Sequence, residues 1–269
     1  MFLPENIDLA YSEKYVLSIR LAPNGFSFFI HCPTDPSVFH YQETSFGNKL
    51  SYEENIQKLV FDFNFFTQPF RETRVTVVTP DYTLVPDAFF DKKKANDFFD
   101  FNFHEKNGRV LSNALSEGEY HLVFSMDEQL HSFLSRSLWN PFFQHFTSRL
   151  LPFFKTYKTE TSDKRCFLYF HDSFFTIMVF SGENLLSANT FEFTSQQDTL
   201  YFIASVWEKL LLDQTVHPLY VCGNVSQQKN TMDTLKKLVK YVEKVEITPK
   251  TSITPQQKET IPADILVTL

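Results

Sequence analysis

The sequence predicts a layered α/β fold built from two related halves, each a mixed sheet flanked by helices. Three observations predict it. A hairpin, a third strand, a helix with a capping box and a fourth strand follow one another twice along the 269 residues. Neighbouring phenylalanines within strands, such as Phe28-Phe29 and Phe174-Phe175, must point to opposite faces, so the sheets are covered on both sides. The length accommodates two medium domains, each with its own core.

In the first half, YVLSIRL (Tyr15–Leu21) and FSFFIHC (Phe26–Cys32) flank Pro23-Asn24-Gly25, a strong turn signal, and read as a hairpin. VFHYQETSF supplies a third strand. Ser51 and Glu54 form a capping box, and Ile56, Leu59, Val60 and Phe63 give the following helix an apolar face. RVTVVTP (Arg74–Pro80), rich in β-branched residues, reads as a central strand. From Asp81 the first half is longer than the second. Pro86 suits the first turn of a helix through DAFFDKKKANDFF. Two strands, RVLSNAL and EYHLVFSM, are separated by the turn Ser116-Glu117-Gly118. A helix from Asp127 to about Trp139, the strand FFQHFT and a helix from near Ser148, with Pro152 in its first turn, follow. The aromatic-rich stretch from Leu138 to Tyr157 reads as packing, since it lacks the basic face of a membrane-surface helix. Polar residues 156–164 mark the boundary, so the expected domains are 1–158 and 159–269.

The second half repeats the order. RCFLYFH and FFTIMVF are strands joined at Asp172-Ser173, and LLSANTFEF is a third strand after a turn at Ser181–Asn184. Ser195 with Asp198 opens a helix whose apolar positions are Leu200, Ile203, Ala204, Trp207 and Leu211. PLYVCGN is a short buried strand ending in a turn. A helix over roughly 230–244, with Leu235, Leu238, Val239 and Val242 inward and lysines outward, comes next. The Pro- and Thr-rich tail reads largely as loop, with Ile265–Leu269 docking back.

Composition excludes several function classes. The chain carries 32 Phe but only 6 Gly, where average usage would give roughly 19. Phosphate-cradling loops depend on glycine. A net charge of -7 argues against nucleic acid as a partner. The N-terminus lacks the basic and apolar regions of a signal peptide, and no stretch is long enough to span a membrane, which together imply a cytoplasmic protein. Cys32, Cys166 and Cys222 are widely spaced and read as buried free thiols. The histidines show no zinc spacing, and no Gly-x-Ser-x-Gly elbow occurs, so neither metal ligands nor catalytic residues are assigned.

The repeated order of hairpin, third strand, helix and fourth strand resembles the two ribonuclease-H-like domains of the actin-like ATPase superfamily, to which actin, sugar kinases and the pilus-assembly PilM proteins belong. More narrowly, the chain resembles a bacterial domain-of-unknown-function family with an actin-like, PilM-like architecture. That resemblance implies an ATP site made by one tight turn in each half. Where the superfamily places Asp-x-Gly, the first half reads Ile19-Arg20-Leu21-Ala22-Pro23-Asn24-Gly25 and the second His171-Asp172-Ser173-Phe174. The adenosine motif, a strand ending in Gly-Gly, is matched by Tyr220-Val221-Cys222-Gly223-Asn224, where Asn can also take positive φ. Asp172, Gly223 and Asn224 are therefore the candidate nucleotide-binding residues.

Each has a plainer reading. Asp172 suits a hairpin turn, and its neighbour His171 should point to the opposite side. Gly223 suits a strand-to-helix turn that needs one permissive residue. Asp81, at the equivalent point of the first half, suits a turn cap. Degenerate loops on an actin-like frame lead to the expectation of a scaffold that binds a protein partner, with no cofactor. An ATP-binding or phosphotransfer enzyme with atypical loops is the alternative, and a small-molecule sensor using the interdomain cleft a third.

Overall fold

The computed structural model describes residues 3–23, 25–47, 49–104, 108–115, 119–158 and 163–269. The turn residue Asn24, the turn Ser116-Glu117-Gly118 and residues 159–162 of the polar boundary stretch lie outside the described residues. The chain forms two compact units: Met1–Ser148 with Pro249–Ile261 and Leu269, and Arg149–Thr248 with Pro262–Thr268.

In the first unit, strands β1 (Val16–Ala22), β2 (Gly25–Cys32), β3 (Asp35–Ser45), β4 (Glu72–Val77) and β8 (Pro141–His145) form a sheet of order β3-β2-β1-β4-β8. β2 runs antiparallel to β1 and β3, while β4 is parallel to β1 and β8 to β4. Helix α1 (Tyr52–Asp62) begins as the sequence dictates: the Ser51 hydroxyl accepts from the Glu54 amide at 3.1 Å, and the Glu54 carboxylate accepts from the Ser51 amide at 2.7 Å. Ile56 and Val60 are fully buried. Phe28 and Phe29 are both buried. Phe28 packs on Phe66 with ring centres 5.1 Å apart and Phe29 on His31 at 5.7 Å, as opposite faces of a doubly covered strand require.

A second, three-stranded sheet of order β5-β7-β6 is inserted between β4 and β8, from β5 (Tyr82–Pro86), β6 (Arg109–Ala114) and β7 (Tyr120–Met126). Helix α2 (Ala95–Asn102) covers it by placing Phe99 against Val85 and Val123. The expected helix from Pro86 is therefore corrected. Pro86 is the last residue of β5, antiparallel to β7, and Asp87–Phe89 and Lys92–Lys94 are short 3-10 turns, so the α-helix begins only at Ala95. The Asp91 carboxylate then accepts from the Lys93 amide and closes a separate 3-10 turn before the α-helix starts. Helix α3 (Glu128–Ser137) is capped by Asp127, whose carboxylate accepts from Leu130 at 2.8 Å.

Helix α4 (Thr147–Thr156) starts one residue earlier than expected, and Pro152 lies beyond its first turn, which corrects the expected placement of that proline. In the second unit, β9 (Lys164–Phe170), β10 (Phe174–Ser181), β11 (Asn184–Glu192), β12 (Leu219–Gly223) and β13 (Val242–Lys244) form a sheet of order β11-β10-β9-β12-β13. β10 is antiparallel to β9 and β11, and β12 is parallel to both β9 and β13. β4 and β12 thus hold the same place in their sheets. Fully buried Arg165 donates to the backbone carbonyls of Phe154 and Lys155, and also to those of Tyr157 and Gly182, so a cation satisfies the carbonyls at the end of α4.

Two further expectations are corrected here. Helix α5 (Gln196–Lys209) has its predicted capping box, but Thr199, Ile203, Val206 and Trp207 are its buried stripe. Ala204 and Leu211 are exposed; the helix stops at Lys209, Leu211 takes φ 52°, and Leu212 enters the core in its place. Helix α6 (Lys229–Leu238) ends well before residue 244. Its apolar spacing continues to Val242, but β12 offers an unpaired parallel edge, and residues 242–244 extend to pair with it. In the tail, α7 (Pro255–Thr260) and α8 (Ala263–Leu266) form, and Ala263, Asp264, Ile265 and Leu266 are buried.

Candidate functional site

The parallel pairing of β12 with β9 sets Gly223 beside Phe170, at the end of β9 where the hairpin to β10 begins. Gly223 takes φ 82°. A Cβ there would stand 2.1 Å from the Phe170 carbonyl oxygen and 2.7 Å from the Tyr169 ring, so close backbone approach as well as conformation requires glycine. Asn224 follows with φ -75°, which corrects the expectation that it could supply a second left-handed position. Its amide donates to the Phe170 carbonyl at 2.8 Å, and its side-chain Nδ2 donates to the Asp172 Oδ1. The structure thus brings the three candidate residues together within one unit.

Their surroundings are aromatic. Asp172 is exposed, whereas His171 is buried, stacked on Phe174 with ring centres 4.0 Å apart and set edge-on to Tyr169 at 4.4 Å. The two neighbours lie in the turn between β9 and β10, one buried and one exposed. The Tyr169 hydroxyl donates to the Asp264 Oδ1 at 2.5 Å, and both side chains are buried. Burial, together with the charge of Asp264, pushes the Cys222 thiol far up, so it stays protonated. Sequence reasoning missed Tyr169 and Asp264 as the floor of this site; no local pattern links residues so far apart in the chain.

The equivalent region of the first unit is organised differently. Arg20 lies in a polar row crossing all five strands, Glu43, Ser27, Arg20, Thr76 and Gln144. Gln144 Nε2 donates to Thr76 Oγ1 at 2.9 Å. Burial pushes the Tyr41 and Tyr52 hydroxyls up, with the Arg20 charge opposing it. A Cβ on Gly25 would approach the Thr44 carbonyl oxygen to 2.9 Å, and the Tyr52 hydroxyl donates to the Gly25 carbonyl at 3.3 Å. Beyond β4, the Asp81 amide donates to the Thr79 hydroxyl at 3.3 Å, which closes the turn there. Among the described residues, no group of three or more His, Cys, Asp or Glu is arranged to hold a metal ion, and no helix is long and apolar enough to cross a membrane.

Comparison with known proteins agrees with this architecture. Among solved structures, a Bacteroides thetaiotaomicron protein with an actin-like ATPase fold and unknown function superposes with a TM-score of 0.86 at 24% identity, covering 98% of this chain and 99% of that one. The PilM-PilN type IV pilus biogenesis complex contains a chain that superposes with a TM-score of 0.52 at 13% identity, covering 94% and 96% respectively. No curated protein sequence matches. The profile of a family described as protein of unknown function DUF3822 matches residues 4–244. Strand orders, helix caps and this match converge, and the chain belongs to the DUF3822 family, with an actin-like fold.

Proposed function

We propose that this protein is a non-catalytic, cytoplasmic interaction module, an actin-like frame whose nucleotide-binding loops have degenerated, and that its partner is another protein. One observation carries the reading. Asp172, the carboxylate available for a metal in the second half, receives the Asn224 side chain, while Gly223 is closed against Tyr169 and Phe170. A phosphate site needs free backbone donors and small residues around them. Here the first turn contains Pro23, which has no N–H, and the second is followed by Phe174 and Phe175.

Two further points support the proposal. The two five-stranded sheets share strand order and strand directions, as internal duplication of one ribonuclease-H-like domain would leave them, with related domains at 1–158 and 159–269. A protein of similar fold, PilM, works in a complex with PilN, which fits a role built on binding a partner. An ATP-binding or phosphotransfer enzyme is the second reading, favoured by the exposed Asp172 carboxylate and the left-handed Gly223 beside it.

Thermal melts with and without ATP and magnesium separate them. A ligand at 100 times its dissociation constant stabilises by about 2.7 kcal/mol, and no such rise is expected. A magnesium-dependent rise at millimolar ATP, abolished by Asp172→Ala and accompanied by phosphate release, would establish the enzyme.

A further inference from the structure

Residues 249–261 of the tail belong to the first unit and residues 262–268 to the second. Helix α7 is exposed throughout, whereas Ala263, Asp264, Ile265 and Leu266 of α8 are none of them more than 6% exposed. The amides of Ile265, Leu266, Val267 and Thr268 donate to the carbonyls of Pro262, Ala263 and Ile265, all within the segment itself. The segment is therefore docked through its side chains, as a bound peptide is. The Asp264 Oδ1 accepts from the Tyr169 hydroxyl at 2.5 Å, and the Tyr169 ring is the one that a Cβ at position 223 would strike. The Asp264 charge also reaches the Cys222 thiol, so α8 underlies the Gly223–Asn224 turn.

We propose that residues 262–268 are an internal ligand of the second unit, and that a protein partner displaces them with a segment of the same chemistry: a small residue, an acid and two aliphatic residues in succession. Three features support this. Because α8 docks by side chains, its departure breaks no strand pairing among these amides, and a four-residue helix with no side-chain cap does not persist alone in water. Its N-terminal flank is the exposed polar run from Thr254 to Thr260, so the segment can leave without drawing a buried element after it. The seated segment itself shows what the surface accepts. Ala263, Ile265 and Leu266 bury apolar side chains, and the Tyr169 hydroxyl donates a charge-assisted bond that favours a carboxylate at the position between them.

The proposal deepens the interaction-module reading by naming its surface and the chemistry of its partner, and rests on that reading for its biological use. Binding of ATP and magnesium would overturn the reading but leaves the exchange of α8 to be measured separately. Amide hydrogen exchange on the full chain is the first test. The amides from Ile265 to Thr268 should exchange through a local opening while β9 and β12 stay protected, and Tyr169→Phe should speed that opening at least about tenfold. The second test uses a fluorescent synthetic peptide copying residues 255–269. It should bind the full chain carrying Asp264→Lys at least about tenfold more tightly than the wild type, whose own tail competes at an effective concentration on the order of millimolar. The same peptide with Asp264→Ala should bind that variant at least about tenfold more weakly. Exchange of α8 only together with β9 and β12 would overturn the proposal, by making the segment part of the core. So would loss of a cooperative melt in Asp264→Lys, or equal binding of the two peptides.

Discussion

His145 gives a quantitative handle on the first unit through pH. It sits at the end of β8, completely buried, with the rings of Tyr82, Phe124 and Phe146 at 4.8, 5.4 and 4.5 Å. Its Nε2 donates to the Thr79 carbonyl at 2.9 Å, so Nδ1 carries the lone pair and accepts from the Thr147 hydroxyl at 2.6 Å. Burial of this neutral ring holds its pKa down from 6.5 to about 3, against a raising contribution from the Thr79 carbonyl. The unfolded chain therefore takes up a proton below about pH 6.5 that the folded chain refuses until about pH 3. Stability is fully present above 6.5 and falls as pH drops through that window, by about 1.4 kcal/mol per unit. Between pH 7 and 4.5 the loss from this residue alone comes to about 2.5 kcal/mol. Other groups contribute in the same interval, including His31, held at about 4 by burial and then by Arg74. A comparison with His145→Gln isolates the one residue, since glutamine keeps a donor for Thr79 and does not titrate. Urea titrations of both proteins at pH 7 and 4.5 should show the wild type losing about 2.5 kcal/mol more than the variant across the interval. Parallel losses would mean that His145 is protonated in the folded state, and the reasoning would fail.

Three other outcomes follow from the packing. Gly223→Ala should cost more than about 1 kcal/mol, because a left-handed residue with a Cβ costs roughly 1–2 kcal/mol before the contact with Phe170 is relieved; an unchanged denaturation midpoint would show that β12 yields easily there. Trp207→Ala should cost about 3–5 kcal/mol as a large buried side chain is removed, and a loss below about 1 kcal/mol would place the indole outside the core. For the thiols, burial pushes Cys166 and Cys222 far up. Burial acts in the same direction on Cys32, but hydrogen bonds from Thr34 and Asp35 bring it below the ordinary thiol range. An aromatic disulfide reagent should thus modify Cys32 alone in the native protein and all three thiols in denaturant; native reactivity that survives Cys32→Ser would contradict this.

The α/β class, the order of most elements and the two capped helices could be read from the amino-acid order, because these rest on local chemistry. Ser51 with Glu54 and Ser195 with Asp198 close their caps within one turn, and the paired phenylalanines require two covered faces whatever surrounds them. Asp172, Gly223 and Asn224 were legible as turn residues, since each stands at the end of a recognisable strand. Their contacts come from tertiary structure alone. The meeting of Asp172 with Asn224 depends on β12 lying parallel to β9, and the Tyr169–Asp264 bond depends on the tail folding back across 95 positions. The same non-local pairing turned residues 242–244 into a strand, because an open sheet edge supplies hydrogen bonds that outweigh a helical spacing of apolar residues. Helix α5 shows the limit most simply. Its apolar residues admit two neighbouring stripes, and only the sheet beneath it and the termination at Lys209 selected Val206 and Leu212 over Ala204 and Leu211.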